Sequence, residues 1–196
     1  PIILFPLTGA IDISTTTQAY GHKYVFLYLG GFILAISIER WNLHKRIALH
    51  IISVIGTGMK KIILGFMVAT GFLSMWISNT ATAVMMLPIG MAIISQLKET
   101  KTDQKESESF AKALMLGIGY SASIGGMATL IGTPPNIVLA SILEKTYQVE
   151  ISFFQWMLLG VPLAVLLMFI AWKYLTSFAF SFQQNQFPGG KEEIKR

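Results

Sequence analysis

The sequence predicts an all-α polytopic membrane protein, and three observations carry that prediction. Of 196 residues, 53% are hydrophobic and only 13% charged, where soluble domains carry roughly 25% charged residues. Two runs, Ile62–Leu97 and Ala113–Leu143, continue for 36 and 31 residues without a charge. The Lys and Arg residues fall in short segments between apolar runs, as cytoplasmic loops of membrane proteins do. Such a composition excludes a disordered chain, a coiled coil and a water-soluble globule. The absence of cysteine excludes a disulfide framework, a thiolate metal site and a thiol nucleophile. The formal charge is +5, yet no basic face interleaved with aromatics would track a phosphate backbone, so nucleic acid is not an expected partner.

The elements follow in order. Pro1–Ile11 is apolar but too short to span, and reads as the end of a truncated helix; no signal peptide with a basic n-region is visible in it. The chain is therefore expected to be a piece of a longer protein. Asp12–His22 is polar and predicts a loop. Tyr24–Ile38 is apolar and, closed by Glu39–Trp41, predicts a full span. Asn42–Thr57 mixes His44, Lys45, Arg46 and His50 with apolar residues, which suits an amphipathic helix at the membrane interface.

Ile62–Leu97 is the most informative stretch. As one helix it would be about 54 Å long, far beyond a hydrocarbon core of about 30 Å. Two complete spans would need about 40 residues and a turn. Its midpoint is the polar triplet Ser78-Asn79-Thr80, and both flanks are basic, with Lys60-Lys61 before and Lys98, Lys101, Lys105 and Lys112 after. The segment predicts a re-entrant helical hairpin over 60–97 with Ser-Asn-Thr at its tip. Lys98–Lys112 predicts a charged loop.

Ala113–Leu143 cannot be one continuous helix. Its middle runs from Gly125-Gly126 to Gly132-Thr133-Pro134-Pro135-Asn136, and Pro lacks the N–H that a helix interior needs. A span broken near mid-membrane is predicted. Glu144–Glu150 reads as a short polar loop, Ile151–Trp172 as a plain span, and Gln183–Arg196 as a polar tail or linker. With Glu39–Lys61, Lys98–Lys112 and everything after Trp172 in the cytoplasm, 13 of the 15 Lys and Arg lie inside. Only Lys23 and Lys145 lie outside. The resulting organisation is scaffold-type helices over 1–58 and a transport-type region over 59–148. A further span over 149–182 and the tail over 183–196 complete it.

Non-helical backbone at membrane depth survives only where protein buries it or where it lines a wet cavity. Two interrupted elements in one short chain therefore point to a binding site, as paired broken helices do in secondary transporters. Helix N-termini there favour an anion, and unwound carbonyls coordinate a cation. Simpler roles fit some residues. Ser-Asn-Thr could serve as interhelical hydrogen-bonding glue, and Gly30-Gly31 as close helix packing. His44 and His50 read as interfacial side chains, Trp41, Trp156 and Trp172 as interfacial aromatics, and Trp76 as packing at the hairpin tip. No nucleophile–base pair lies in the apolar runs, so an enzyme is not expected.

The run from Ser74 to Pro88, Ser-Met-Trp-Ile-Ser-Asn-Thr-Ala-Thr-Ala-Val-Met-Met-Leu-Pro, resembles the Ser-Asn-Thr hairpin signature of the divalent anion/sodium symporter family. Gly119 to Asn136, ending Ile-Gly-Thr-Pro-Pro-Asn, resembles its second signature, and Gly30-Gly31-Phe32, Glu39-Arg40-Trp41 and Leu43-His44-Lys45-Arg46 match as well. The resemblance covers essentially the whole chain, as one inverted-repeat half with one Ser-Asn-Thr where the family uses two. It implies transport of C4-dicarboxylates, citrate or sulfate across a bacterial inner membrane. It further implies Na+ coupling, an elevator-type alternating-access movement, and a homodimer in the full-length protein. Carried over residue by residue, it implies a sodium site at Ser74, Ser78, Asn79 and Gly132. It implies contacts to the anion from Ser78, Asn79, Thr80 and Thr133, with Asn136 shaping the broken helix. A sodium-independent dicarboxylate or citrate–succinate exchanger is the sibling reading, and a non-transporting membrane subunit the reading from another class.

Overall fold

The computed structural model describes residues 2–56, 58–99, 104–180 and 182. Among them the fold is helical throughout, with no strand. α1 (Leu4–Leu7) is a single turn. α2 (Ile13–Tyr20) replaces the loop expected over Asp12–His22. Its cap explains the difference, because the Asp12 carboxylate accepts from the Thr15 N–H at 3.0 Å, satisfying one of the donors that a helix start exposes. Thr16 and Thr17 hydroxyls fold back onto the carbonyls of Asp12 and Ile13. α3 (Lys23–Arg40) follows, and Asn42, in the left-handed region at φ 50°, turns the chain into α4 (Leu43–Ile55). His44, expected at the interface, is buried at that corner with Nδ1 3.4 Å from the Ile38 carbonyl.

α5 (Met59–Ser74) and α6 (Asn79–Glu99) are the two arms of the expected hairpin, joined at Met75–Ser78. The turn lies slightly before the expected tip, so Asn79 and Thr80 open α6 instead of sitting in the turn. α7 (Gln104–Gly126) begins inside the expected charged loop of Lys98–Lys112, and α6 reaches into it from the other side. Buried Ser107 and Phe110 give this polar stretch an inward face, which a reading by charge content overlooks. Residues 100–103 of that loop, including Lys101, lie outside the described residues, as does the tail over 183–196. α8 (Pro134–Tyr147) starts with Pro134 just after Thr133 and runs past the expected start of the polar loop at Glu144, ending at Gln148 in the left-handed region. α9 (Phe153–Lys173) starts on a capping box, the Ser152 hydroxyl accepting from Gln155 N and the Gln155 carboxamide accepting from Ser152 N. It continues as a π-helix over Tyr174–Ala179.

Neighbouring residues give the directions. Along α5, Ile63 and Met67 lie against Gly117 of α7, and Gly71 lies against Gly125. The two helices therefore run parallel. Along α6, Asn79 lies against Gly126 and Gly90 against Leu114, Met115 and Ile118, so α6 runs antiparallel to both. The chain thus reverses at Met75–Ser78, and both arms pack on α7. Phe66, Met67, Leu97, Phe110 and Leu114 are fully buried in this seam.

α9 serves as a depth gauge. Its Gly160 lies against the carbonyls of Met127 and Ala128 at the break between α7 and α8. Its Trp172 donates from Nε1 to the Lys60 carbonyl at 2.9 Å, at the foot of α5. At 1.5 Å per residue the break sits about 10 Å along a helix about 31 Å long. The opposite end of the bundle is tied by Lys23, 2.6 Å from Glu144 and 2.7 Å from Glu150. Residues expected on one side of the membrane thus meet at one end of the fold. Three stretches are long and apolar enough to cross a membrane among the described residues, Ile13–Arg40, Asn79–Leu97 and Phe153–Ala179.

Candidate functional site

The hairpin tip and the break in α7–α8 meet, because helix backbones there touch without side chains between them. A Cβ at Gly125 would lie 2.6 Å from the Gly71 Cα, and one at Gly126 would collide with the Asn79 carboxamide. Glycine at these positions is what admits so close an approach.

The result is a polar cluster under the tip. The buried Ser74 hydroxyl donates to the Ala122 carbonyl at 2.7 Å. The Asn79 carboxamide stands 2.8 Å from the same hydroxyl. Ser74 has one proton, so it cannot also donate to Asn79 Oδ1. With Nδ2 turned inward instead, the two N–H groups of Asn79 have three acceptors in reach, Ser74 Oγ at 2.8 Å and the carbonyls of Ala122 and Gly132 at 3.2 Å. The inward terminus of Asn79 therefore faces three oxygens contributed by α5, α7 and the break. With Oδ1 inward the cluster is four oxygens sharing the one Ser74 hydroxyl proton, a set whose remaining lone pairs suit a water or a hard cation.

Beside the cluster lies a cavity of about 280 Å³, at the small end of ligand sites and suited to a few-carbon molecule. Ser78, Asn79 and Thr80 line it from the hairpin, Gly132 and Thr133 from the break. Of the residues read from the sequence, the structure brings Ser74, Asn79 and Gly132 into the cluster. It brings Ser78, Thr80 and Thr133 to the cavity wall with Asn79 and Gly132. The Ser78 hydroxyl accepts from the Ala81 N–H at 3.3 Å and caps α6. As opening residues of α6, Asn79 and Thr80 direct backbone N–H groups out of the helix end. α8 opens on Pro134 and Pro135, which have no N–H. Its contribution at the cavity is the helix dipole and not backbone hydrogen-bond donors.

Asn136 shapes the break as the sequence suggested, its Nδ2 donating to the carbonyls of Gly126 at 3.0 Å and Thr129 at 2.7 Å. Trp76 lines the cavity and tilts against Phe153, ring centres 6.4 Å apart. Trp156, expected as an interfacial aromatic, donates from Nε1 to the Met127 carbonyl at 3.0 Å, so it serves the break. Gly31 packs against Ile131, whereas Gly30 has nothing within 4 Å; helix packing explains only the second glycine of the pair. Two groups escaped the sequence reading. Tyr28 and Phe32 close the cavity from α3, and Thr129 ties the tip to the break with its hydroxyl. A hydroxyl residue inside the charge-free break was the only signal for Thr129.

Apolar helices interrupted at a common depth, around a cavity with polar groups at one side and aromatic and aliphatic walls at the other, define an integral membrane protein of the polytopic helical class. The chain belongs to the citrate transporter family, whose model matches residues 1–193. It is 47% identical over 199 residues to the sodium-dependent dicarboxylate transporter SdcS of Staphylococcus saprophyticus. It is 49% identical to the SdcS proteins of Staphylococcus aureus strains USA300 and NCTC 8325. Each alignment covers all of this chain and 38% of the relative, so the chain spans about two-fifths of their length. These relatives are transporters and not enzymes.

Proposed function

We propose that this chain forms part of a sodium-coupled symporter for divalent organic anions of the dicarboxylate or citrate type, in the cytoplasmic membrane of a bacterium. The observation that carries the reading is the convergence of Ser74 Oγ, Ala122 O and Gly132 O on the inward terminus of Asn79, on the wall of a cavity of dicarboxylate size. Sodium is held here by Ser74, Asn79 and Gly132, with Ser78 completing the set. One carboxylate of the anion is held by Ser78, Asn79, Thr80 and Thr133. Coupling then has a direct electrostatic cause, since a cation beside the cavity and the positive ends of α6 and α8 favour negative charge at the same point. The names of the relatives support sodium and dicarboxylate as the cargo pair.

The re-entrant reading of the hairpin is supported by α9. α5 starts level with Trp172 and its end lies level with the break, near Gly160, so it traverses about two-thirds of the depth that α9 covers. An elevator movement is supported by the contrast between seams: α4, α5, α6 and α7 are packed into one body around a shared core, and α3 meets it along a smaller seam. The full-length protein is expected to be a homodimer.

The test is uptake by the full-length protein in proteoliposomes. Succinate uptake under an inward sodium gradient is compared with uptake when choline replaces sodium. Uptake only with sodium is expected, and its loss in Asn79→Ala with membrane insertion intact. Equal uptake with choline, or uptake only into vesicles preloaded with succinate, would replace symport by exchange.

A further inference from the structure

We infer that Thr129 is a positioning residue that sets the spacing between the two walls of the cavity; the inference rests on the transport reading above. Thr129 is fully buried. Its hydroxyl donates to the Met75 carbonyl at 2.6 Å and accepts from the Gly132 N–H at 3.0 Å. A hydroxyl carries one proton and accepts through two lone pairs, so a single side chain serves both partners at once.

The positions of those partners give the tie its meaning. Met75 opens the turn of the hairpin, just before Ser78 and Asn79. Gly132 is the residue whose carbonyl faces Asn79 and whose successor, Thr133, lines the cavity. Thr129 thus links the backbones of the tip and the break behind the cavity wall, where Asn79 joins the same two elements only through its own side chain. Its own carbonyl is held by Asn136 Nδ2, which also holds Gly126, so the tie is anchored to α8 and the end of α7. Thr129 is absent from the cavity wall. It acts through Met75 and Gly132 and touches no cargo. A coordination shell gains its affinity from ligands held in place before binding, and loosening this tie lets the tip drift from the break.

The experiment compares Thr129→Val, nearly isosteric but without the hydroxyl, with Thr129→Ser, which keeps it. In the full-length protein, Thr129→Val is expected to raise the sodium concentration for half-maximal succinate uptake by about tenfold, with maximal uptake at saturating sodium reduced by no more than about threefold. Thr129→Ser is expected to stay within about twofold of the parent. The sodium dependence of thermal stability, which reads binding without transport, is expected to shift in parallel. A Thr129→Val protein matching the parent, or a Thr129→Ser protein as impaired as Thr129→Val, overturns the inference. If Thr129→Val does not fold, hydrogen exchange of the unsubstituted protein decides: slow exchange at the Gly132 amide is expected, and fast exchange overturns the tie. If the parent shows neither sodium-dependent uptake nor a sodium-dependent melting shift, the transport reading fails and the positioning role with it. Slow exchange at Gly132 would then leave the tie as a structural bond alone.

Discussion

Substituting Gly125 by alanine probes the backbone contact on which the whole cavity stands. The added Cβ would lie 2.6 Å from the Gly71 Cα and 2.7 Å from its carbonyl carbon, closer still to the carbonyl oxygen. Ordinary contact begins near 3.4 Å, so the seam between α5 and α7 must open by at least 0.8 Å, the difference between 3.4 and 2.6. No flexible side-chain end is available to yield. A gap of that size forfeits about a quarter to a half of each dispersion contact along the seam, and Phe66, Met67 and Leu114 are fully buried in it. Overpacking costs about 1–3 kcal/mol or more, against about 1 kcal/mol gained from alanine in a helix. Because the clash is backbone on backbone, the cost falls at the upper end of that range, and a net loss approaching about 2 kcal/mol is expected, with the cavity widened. Gly119, two turns earlier on α7 with nothing within 4 Å of its Cβ position, is the control. Gly119→Ala gains the propensity without the clash and is expected to be neutral or stabilising. Thermal melting of both purified variants, followed by size-exclusion fluorescence, reads the difference. A Gly125→Ala protein that melts within about a degree of the parent and transports normally would refute the backbone contact, since 1 kcal/mol moves a melting point by several degrees.

Three further outcomes are expected. Thr82 is fully buried with a hydroxyl that has no partner, so Thr82→Val is expected to stabilise by about 1 kcal/mol in a melting assay; destabilisation would show that the hydroxyl is bonded. The Lys23 hydrogen bond holds the Glu144 carboxyl below its ordinary range. This contribution is full above the ordinary carboxylate pKa and is lost as pH falls through the lowered one. The stability gap between parent and Glu144→Gln should therefore shrink in acid and in high salt, and a pH-independent gap counts against the clasp. Single cysteines at the exposed Lys61 and Lys112, in a full-length background with any other cysteine replaced, should react with an impermeant maleimide from the same side of the membrane. Reaction from opposite sides would end the hairpin reading.

The sequence made the interruptions legible because each has a chemical mark. Ser78-Asn79-Thr80 stands out in a charge-free run, and Pro134-Pro135 cannot continue a helix. The closeness of their meeting was not legible, because the backbone contact rests on Gly71, Gly125 and Gly126, which in one dimension resemble any packing glycine. Polar stretches were misjudged for a related reason. Charge content marked Asp12–His22 and Lys98–Lys112 as loops, but a cap at Asp12 and an inward face through Ser107 and Phe110 made most of each helical. The family resemblance placed Ser74, Asn79 and Gly132 in one cluster and passed over Thr129, whose work is done on backbone atoms of other residues.

The two kinds of contact around the cavity differ as a weld differs from a bearing. α5 meets α7 main chain to main chain at Gly71 and Gly125, and two backbones in contact have no alternative register to move into. α3 meets the same body through the tip of Ile131 on Gly31, the apolar patch around Tyr24, and a lysine between two glutamates near the end of the bundle. Side-chain tips exchange neighbours at little cost, and an exposed ion pair can trade its partner for water. On the elevator movement proposed above, sliding along α3 would carry Tyr28 and Phe32, which close the cavity from that helix, past the opening.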